Sequence, residues 1–265
     1  KIGLVLSGGG AKGFAHIGVL KEIDKAGLQI DYIGGTSMGA IVGGLYAIGY
    51  SGKQIEKIVI ETDFISLLRD RLPRSSSPFF EKEYGEKTVI TLPVKNGSVG
   101  LPKAVSKGQN VINFLLELLG SAEGIKDFRK LPIPFFCIAT DVENGGTVLL
   151  EKGSLSLALR ASGSFPTLLN PVILEDKLLV DGGIANNFPV SIMKSKGMDI
   201  VIGVDVEGRL YQKEKLNSVV DIMNQIVSYQ MYNTSGKEKE KLDVYIHPEI
   251  YDYNVGDFEK KEEIL

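Results

Sequence analysis

The chain predicts an α/β fold with a mainly parallel central sheet and helices on both faces. Three observations carry that reading. Short apolar runs alternate with helical apolar patterns along most of the sequence. Two of those runs, ending at Ser7 and Ile33, pass into glycine turns that lead into helices. A third stops on Asp181-Gly182-Gly183. In such sheets ligands gather beyond the carboxyl ends of the strands, so Ser7-Gly8, Ser37 and Asp181 all stand where chemistry is expected.

Ile2 to Ser7 reads as a buried strand, and Gly8 to Gly13 as its turn into a helix. That helix sets Ile17, Leu20 and Ile23 on one face and closes near Gly27. Ile30 to Ile33 is the next strand, broken at Gly34-Gly35, and Ala40 to Ile48 follows with helical spacing. Ser51 is placed to cap a helix from Gln54 to Ile60. Arg69 to Pro78 is basic and serine-rich, a surface loop, and Thr88 to Leu101 reads as a hairpin turning at Asn96-Gly97. Val111 to Leu119 is a very apolar helix with one acidic residue. Ile133 to Thr140 is a buried strand, Asn144 to Gly146 a turn, Thr147 to Leu150 a short strand and Ser154 to Ser162 a helix. Lys177 to Asp181, Asp199 to Val206 and Leu242 to His247 complete the strands, and Phe258 to Leu265 looks like the start of a helix.

The bulk properties narrow the function. A chain of 265 residues can bury a sizeable core. Its net charge of -3 speaks against nucleic acid, which calls for a basic face. The single cysteine, Cys137, excludes an internal disulfide and a cysteine-based metal cluster, and its apolar run makes it a core residue. No apolar run approaches the roughly 18 residues of a membrane span. The chain begins at Lys1 rather than methionine, so residues 1–265 are expected to be one catalytic domain cut from something longer.

Gly35-Thr36-Ser37-Met38-Gly39 is a G-x-S-x-G between a strand and a helix. Small flanking residues permit a sharp turn that pushes the serine into the open, and the following helix aims its unpaired amides at the same place. Ser37 is the candidate nucleophile. Gly8-Gly9-Gly10-Ala11-Lys12-Gly13 satisfies G-x-G-x-x-G, the pattern of a dinucleotide loop. That use needs an acidic residue ending the second strand, whereas Asp31 stands at its beginning. A P-loop fails because Phe14 follows Gly13. The loop is better read as an anion hole of backbone amides, with Lys12 either assisting or facing solvent. A serine nucleophile needs a base, and Asp181, with Gly182 and Gly183 giving it room, is the candidate for a direct Ser–Asp pair. The rival is a triad through His247, since Ser37, Asp181 and His247 follow the chain order of α/β-hydrolases. His16 stands a turn into the first helix and reads as packing against the glycine loop.

Together, Gly8 to Gly13, Gly35 to Gly39 and Asp181 to Gly183 resemble the patatin-like phospholipases. The resemblance extends through Phe14 to Leu20, Ala139 to Asp141, Arg160 to Pro166 and Gly183 to Pro189, and covers residues 1 to about 206. It implies a three-layer fold and a lipid acyl hydrolase that works through a Ser–Asp dyad without a catalytic histidine. Carried over, Ser37 is nucleophile and Asp181 base. The loop Gly8, Gly9, Gly10, Ala11, Lys12, Gly13, with the amide of Met38, forms the oxyanion hole. Gly35, Gly39, Gly182 and Gly183 support the two turns, Gly183 replacing an alanine common in the family. Arg160 to Pro166 is expected to support the Asp181 loop.

No metal or organic cofactor is expected. The implied partner is a phospholipid or other acyl lipid. Val111 to Leu119, with Phe79, Phe80, Lys103 and Lys107 ahead of it, is expected either to pack in the core or to cover the acyl pocket, meet a membrane surface or form a homodimer contact. The resemblance and the cut start suggest a secreted or outer-membrane-associated part of a longer precursor, with a cytoplasmic enzyme as the alternative.

Overall fold

The computed structural model describes residues 1–70, 94–95, 98–99 and 104–265. Its centre is a sheet of eight strands. These are β1 (Ile2–Leu6), β2 (Tyr32–Thr36), β3 (Phe135–Asp141), β4 (Thr147–Leu150), β5 (Val172–Leu174), β6 (Lys177–Asp181), β7 (Ile200–Val204) and β8 (Val244–Ile246). They lie in the order β8-β7-β1-β2-β3-β6-β5, with β4 also paired to β3. The run from β8 to β3 is parallel throughout, while β4, β5 and β6 are antiparallel additions.

Alternating side chains build a core on each face of the sheet. Leu4, Leu6, Ile33, Phe135, Cys137 and Val204 point to one side. There they meet α1 (Ala15–Ala26), α2 (Met38–Ala47), α3 (Gly52–Glu61), α4 (Gln109–Leu119) and α5 (Leu155–Ser162). Val5, Tyr32, Phe136, Ile138 and Val201 point to the other, against Val190 and Met193 of α6 (Val190–Ser195). The long α7 (Val219–Lys239) lies over the short helix Gly183–Asn186. Ser51 caps α3 in a reciprocal box with Gln54, and α1 ends at left-handed Gly27, both as the sequence suggests.

The register of β3 decides the rest. Thr36 of β2 stands opposite Ile138, and Asp181 of β6 stands opposite Ala139. Since β4 occupies the other edge of β3 along Cys137 to Thr140, β2 and β6 must share one edge. They approach from opposite directions and end at consecutive β3 residues. The sequence places Asp181 at a carboxyl end among parallel strands; it is instead the end of an antiparallel strand that meets β2 head-on.

Three further features have physical causes. In α4, Val111, Leu115 and Leu119 are buried at a spacing of four, and Leu116 is the large apolar side chain left exposed, at 43%. Of the expectations for that helix, its burial matches core packing, and Lys107 before it is exposed. Helix α7 carries no core-facing apolar signature because its pattern is inverted: Gln225 and Ser235 are buried while Ile222, Met223, Ile226 and Tyr229 are exposed. The parallel pair Ala104–Ser106 and Thr167–Leu169, like β5, is too short for periodicity to announce it. Of the hairpin, Val94–Lys95 and Ser98–Val99 pair antiparallel as expected. Its remaining residues, most of the loop to Pro78, Phe79, Phe80 and Lys103 lie outside the described residues.

Candidate active site

Ser37 follows directly from β2 and is the N-cap residue of α2. Its φ of 54° and ψ of -123° put a non-glycine residue in a strained backbone conformation, tolerated where the surroundings fix it. Close packing does the fixing. A Cβ on Gly39 would stand 2.4 Å from the Leu6 carbonyl oxygen, and one on Gly35 would stand 2.6 Å from the Gly39 carbonyl oxygen. Both flanking positions therefore need glycine. The Ser37 amide donates to Oγ of Ser162 at 2.9 Å, which ties the turn to α5.

The head-on strands bring Ser37 and Asp181 into direct contact. The Ser37 hydroxyl donates to Oδ2 of Asp181 at 2.6 Å. The other carboxylate oxygen, Oδ1, accepts the Gly183 amide at 2.8 Å. Thr140 Oγ1 donates to the Asp181 carbonyl at 2.8 Å, and the Asp181 and Gly182 amides donate to the carbonyls of Ser164 and Ser162. Asp181 is 1% exposed and Ser37 9%. Burial raises the Asp181 pKa from 3.8 to about 6, against the opposing pull of the hydrogen bonds from Ser37 and Gly183. A carboxylate of that pKa accepts a proton more readily than a free aspartate.

The glycine loop borders the pair. A Cβ on Gly8 would lie 3.0 Å from that of Ser37 and 2.5 Å from Asn187 Oδ1. Asn187 grips Gly8 from both sides, accepting its amide at 3.1 Å and donating to its carbonyl at 3.3 Å. The Ala11 amide donates to the Val255 carbonyl, which left-handed Gly10 approaches too closely for any side chain. Gly9 and Gly10 differ: among the described residues their amides make none of the loop hydrogen bonds, and they open a 3-10 turn (Gly10–Phe14), where amides lack acceptors. Met38 likewise opens α2, and its side chain packs on Gly13. Ser162 lies in the segment expected to support the Asp181 loop, and its carbonyl accepts the Gly182 amide; the hold of Asn187 on Gly8 has no local sequence signal, since it joins distant loops.

Both histidines have other partners. His16 is fully buried, bonded through Nε2 to the Ser7 carbonyl at 2.8 Å, and burial lowers its pKa to about 4. It packs against the glycine loop, as expected. His247 bonds through Nδ1 to the Asp205 carbonyl at 2.8 Å and stacks on Tyr245. It follows β8, which is three strands from β2, about 14 Å at the usual strand spacing. Arg160 is buried, and its guanidinium donates to Ser164 and to the carbonyls of Lys107 and Asn170, so it braces the segment between α5 and β5, whose Ser164 carbonyl takes the Asp181 amide.

A recess of about 400 Å³ lined by Glu61 to Ile65 and Phe258 contains no residue of this constellation. A smaller cleft, lined by Gly8, Gly9, Lys12, Asn187, Glu207 to Arg209 and α7, adjoins it.

The chain is 30% identical to the Lysophospholipase NTE1 of Meyerozyma guilliermondii over 99% of its own length and 18% of that protein. It is 34% identical to an uncharacterized NTE family protein of Mycobacterium bovis, over 77% of this chain and 30% of that one. The chain thus spans less than a third of the length of these relatives. Among solved structures, VipD from Legionella pneumophila aligns with a TM-score of 0.49 at 18% identity, covering 84% of this chain and 52% of that one. Residues 4–194, which take in the glycine loop, Ser37 and Asp181, match the patatin-like phospholipase family, and the chain belongs to that family.

Proposed function

We propose that the chain is a serine lipid acyl hydrolase of phospholipase A or lysophospholipase type, working through a Ser37–Asp181 dyad. The observation that carries this reading is the direct 2.6 Å bond from the Ser37 hydroxyl to a buried carboxylate of raised pKa. Asp181 Oδ2 takes the hydroxyl proton as Oγ attacks the acyl carbonyl. The Gly9, Gly10 and Met38 amides stabilise the oxyanion. Asp181 then returns the proton to the departing alkoxide, leaving an acyl-serine. Water, deprotonated by the same carboxylate, releases the fatty acid. The test is fatty-acid release from lysophospholipid and phospholipid micelles with chelator present. Turnover is expected; no turnover of these or of any soluble acyl ester, together with no labelling of Ser37 by a fluorophosphonate, would overturn it.

The same reading includes contact with a lipid surface, through α7 instead of α4. Ile222, Met223, Ile226 and Tyr229 are about half exposed on the outer face of α7, while Gln225, Ser228, Met231 and Tyr232 line the cleft beside Gly8. An apolar stripe turned outward, with Gln225 and Ser228 turned in, is the reverse of a core helix, and it suits a bilayer surface. Among the described residues no helix is long and apolar enough to cross a membrane. Ile222→Asp with Ile226→Asp is expected to weaken cosedimentation with phosphatidylcholine vesicles at least about tenfold, since two half-buried side chains lose their transfer energy. Hydrolysis of a soluble short-chain ester should be unaffected. Unchanged vesicle binding would remove α7 from this role.

A further inference from the structure

The cleft between the glycine loop and α7 contains a charge that the dyad chemistry does not use. Lys12 is 4% exposed, yet among the described residues its ammonium makes no hydrogen bond and no ion pair within 4.0 Å. Burial lowers its pKa to about 8, with Glu207 and Asp205 opposing at longer range. The side chain is thus largely buried while its ammonium opens on the cleft without a protein partner, placed to meet an anion that enters.

Asn187, Glu207, Gln225 and Ser228, the other amide, carboxylate and serine side chains of the cleft, already have partners. Glu207 accepts from Asn187, Ser235 and Lys239, and Lys239 also pairs with Asp205. Gln225 is tied to the backbone of Tyr211 through both ends of its amide, and Ser228 donates to the Asn224 carbonyl. Arg209 lies at the rim, its guanidinium 4.6 Å from the Tyr251 ring centre. Counting Lys12, Arg209 and Lys239 against Glu207 and Asp205, the cleft carries one net positive charge. Its volume of about 50 Å³ suits a group the size of a few waters, such as phosphate. Gly208 completes it: a Cβ there would stand 2.2 Å from Lys12 Nζ, so glycine leaves the ammonium its place. The cleft begins at Gly8, which touches Ser37.

We propose that this cleft binds a phosphate group, that of the substrate's head group, with the Lys12 ammonium as its counter-ion and Arg209 at its rim. The assignment rests on the lipid hydrolase reading. It makes the chain selective for phosphate-bearing acyl lipids over neutral glycerides, through a point charge of the kind lysine supplies to phosphate.

The test compares kcat/KM for a lysophosphatidylcholine and for a monoacylglycerol of the same chain length. In Lys12→Met the ratio of the two should fall about ten- to a hundredfold, the usual worth of a hydrogen bond to a charged group. Lys12→Arg should restore part of it. Gly208→Ala, which only displaces the flexible end of Lys12, should lower the ratio in a folded protein. An equal loss on both substrates would overturn the proposal and assign Lys12 to the oxyanion loop or to folding. A second arm does not depend on turnover: the melting temperature of Ser37→Ala with glycerophosphocholine or with inorganic phosphate, each with and without Lys12→Met. A Lys12-dependent rise with glycerophosphocholine supports the head-group site. A rise with inorganic phosphate alone, with the substrate ratio unchanged, would give a free-anion site and overturn the head-group assignment. No Lys12-dependent rise with either would overturn the site itself.

Discussion

Asp181→Asn is expected to lower kcat for acyl-ester hydrolysis about 10²- to 10⁴-fold, the usual worth of a general base, while making the folded protein more stable above pH 6. The activity loss follows from donor and acceptor geometry. Asparagine keeps an oxygen for the Gly183 amide and must then turn its NH₂ toward Ser37, where the carboxylate now accepts the hydroxyl proton. No acceptor remains for that proton during attack. The stability gain follows from linkage. Burial raises the folded-state pKa from 3.8 to about 6, so the native fold favours the protonated acid. The favourable contribution is complete below about pH 4 and is lost as pH rises through about 6. Above that, the ionised side chain costs roughly 3 kcal/mol, from two pKa units at 1.36 kcal/mol each. Asparagine avoids that cost but gives up the bond to Ser37, for a net gain of about 2 kcal/mol. Urea titrations at pH 4 and pH 8 check it: the variant should gain at pH 8 only. Loss of activity with loss of stability at both pH values would instead make Asp181 a structural residue.

Ser37→Ala should abolish turnover by at least about four orders of magnitude, because the covalent route disappears and only oxyanion and binding effects remain. Labelling by a fluorophosphonate should disappear with it. The fold should survive, since the turn is held by packing at Gly35 and Gly39 and by the Ser162 contact to the Ser37 amide. Ser37→Gly should be equally inactive but more stable than Ser37→Ala by about 1 kcal/mol, because glycine relaxes the strain at a φ of 54°. Appreciable turnover by either variant would remove Ser37 from the chemistry.

The parts of this site that are legible in sequence are the local ones. A strand running into Gly35-Thr36-Ser37-Met38-Gly39 reports its own turn, since the crowding at Gly39 arises within a few residues and against the adjoining strand. The same is true of Asp181-Gly182-Gly183. That the two turns meet was implied by family resemblance and not by any pattern in the chain, because it depends on β2 and β6 sharing one edge of β3. Register of that kind is set by long-range pairing. The loop residues that Asn187 and Val255 engage, and the burial of Lys12 under Gly208, are equally non-local. Helix α7 was illegible for a different reason. Its apolar residues face outward, so a reading that equates apolar with buried finds no helix there.

The central claim, that Asp181 serves Ser37 directly, is tested most directly by the pH profile of kcat/KM for a soluble neutral ester, measured for the wild type and for His247→Ala. Activity should rise about tenfold per unit below pH 6 and level off above it, as the Asp181 carboxyl ionises near pH 6. The two profiles should superimpose, because His247 is bonded to Asp205 instead of the pair. A profile whose rising limb vanishes, or whose plateau collapses, in His247→Ala would contradict the dyad and place the base on that histidine.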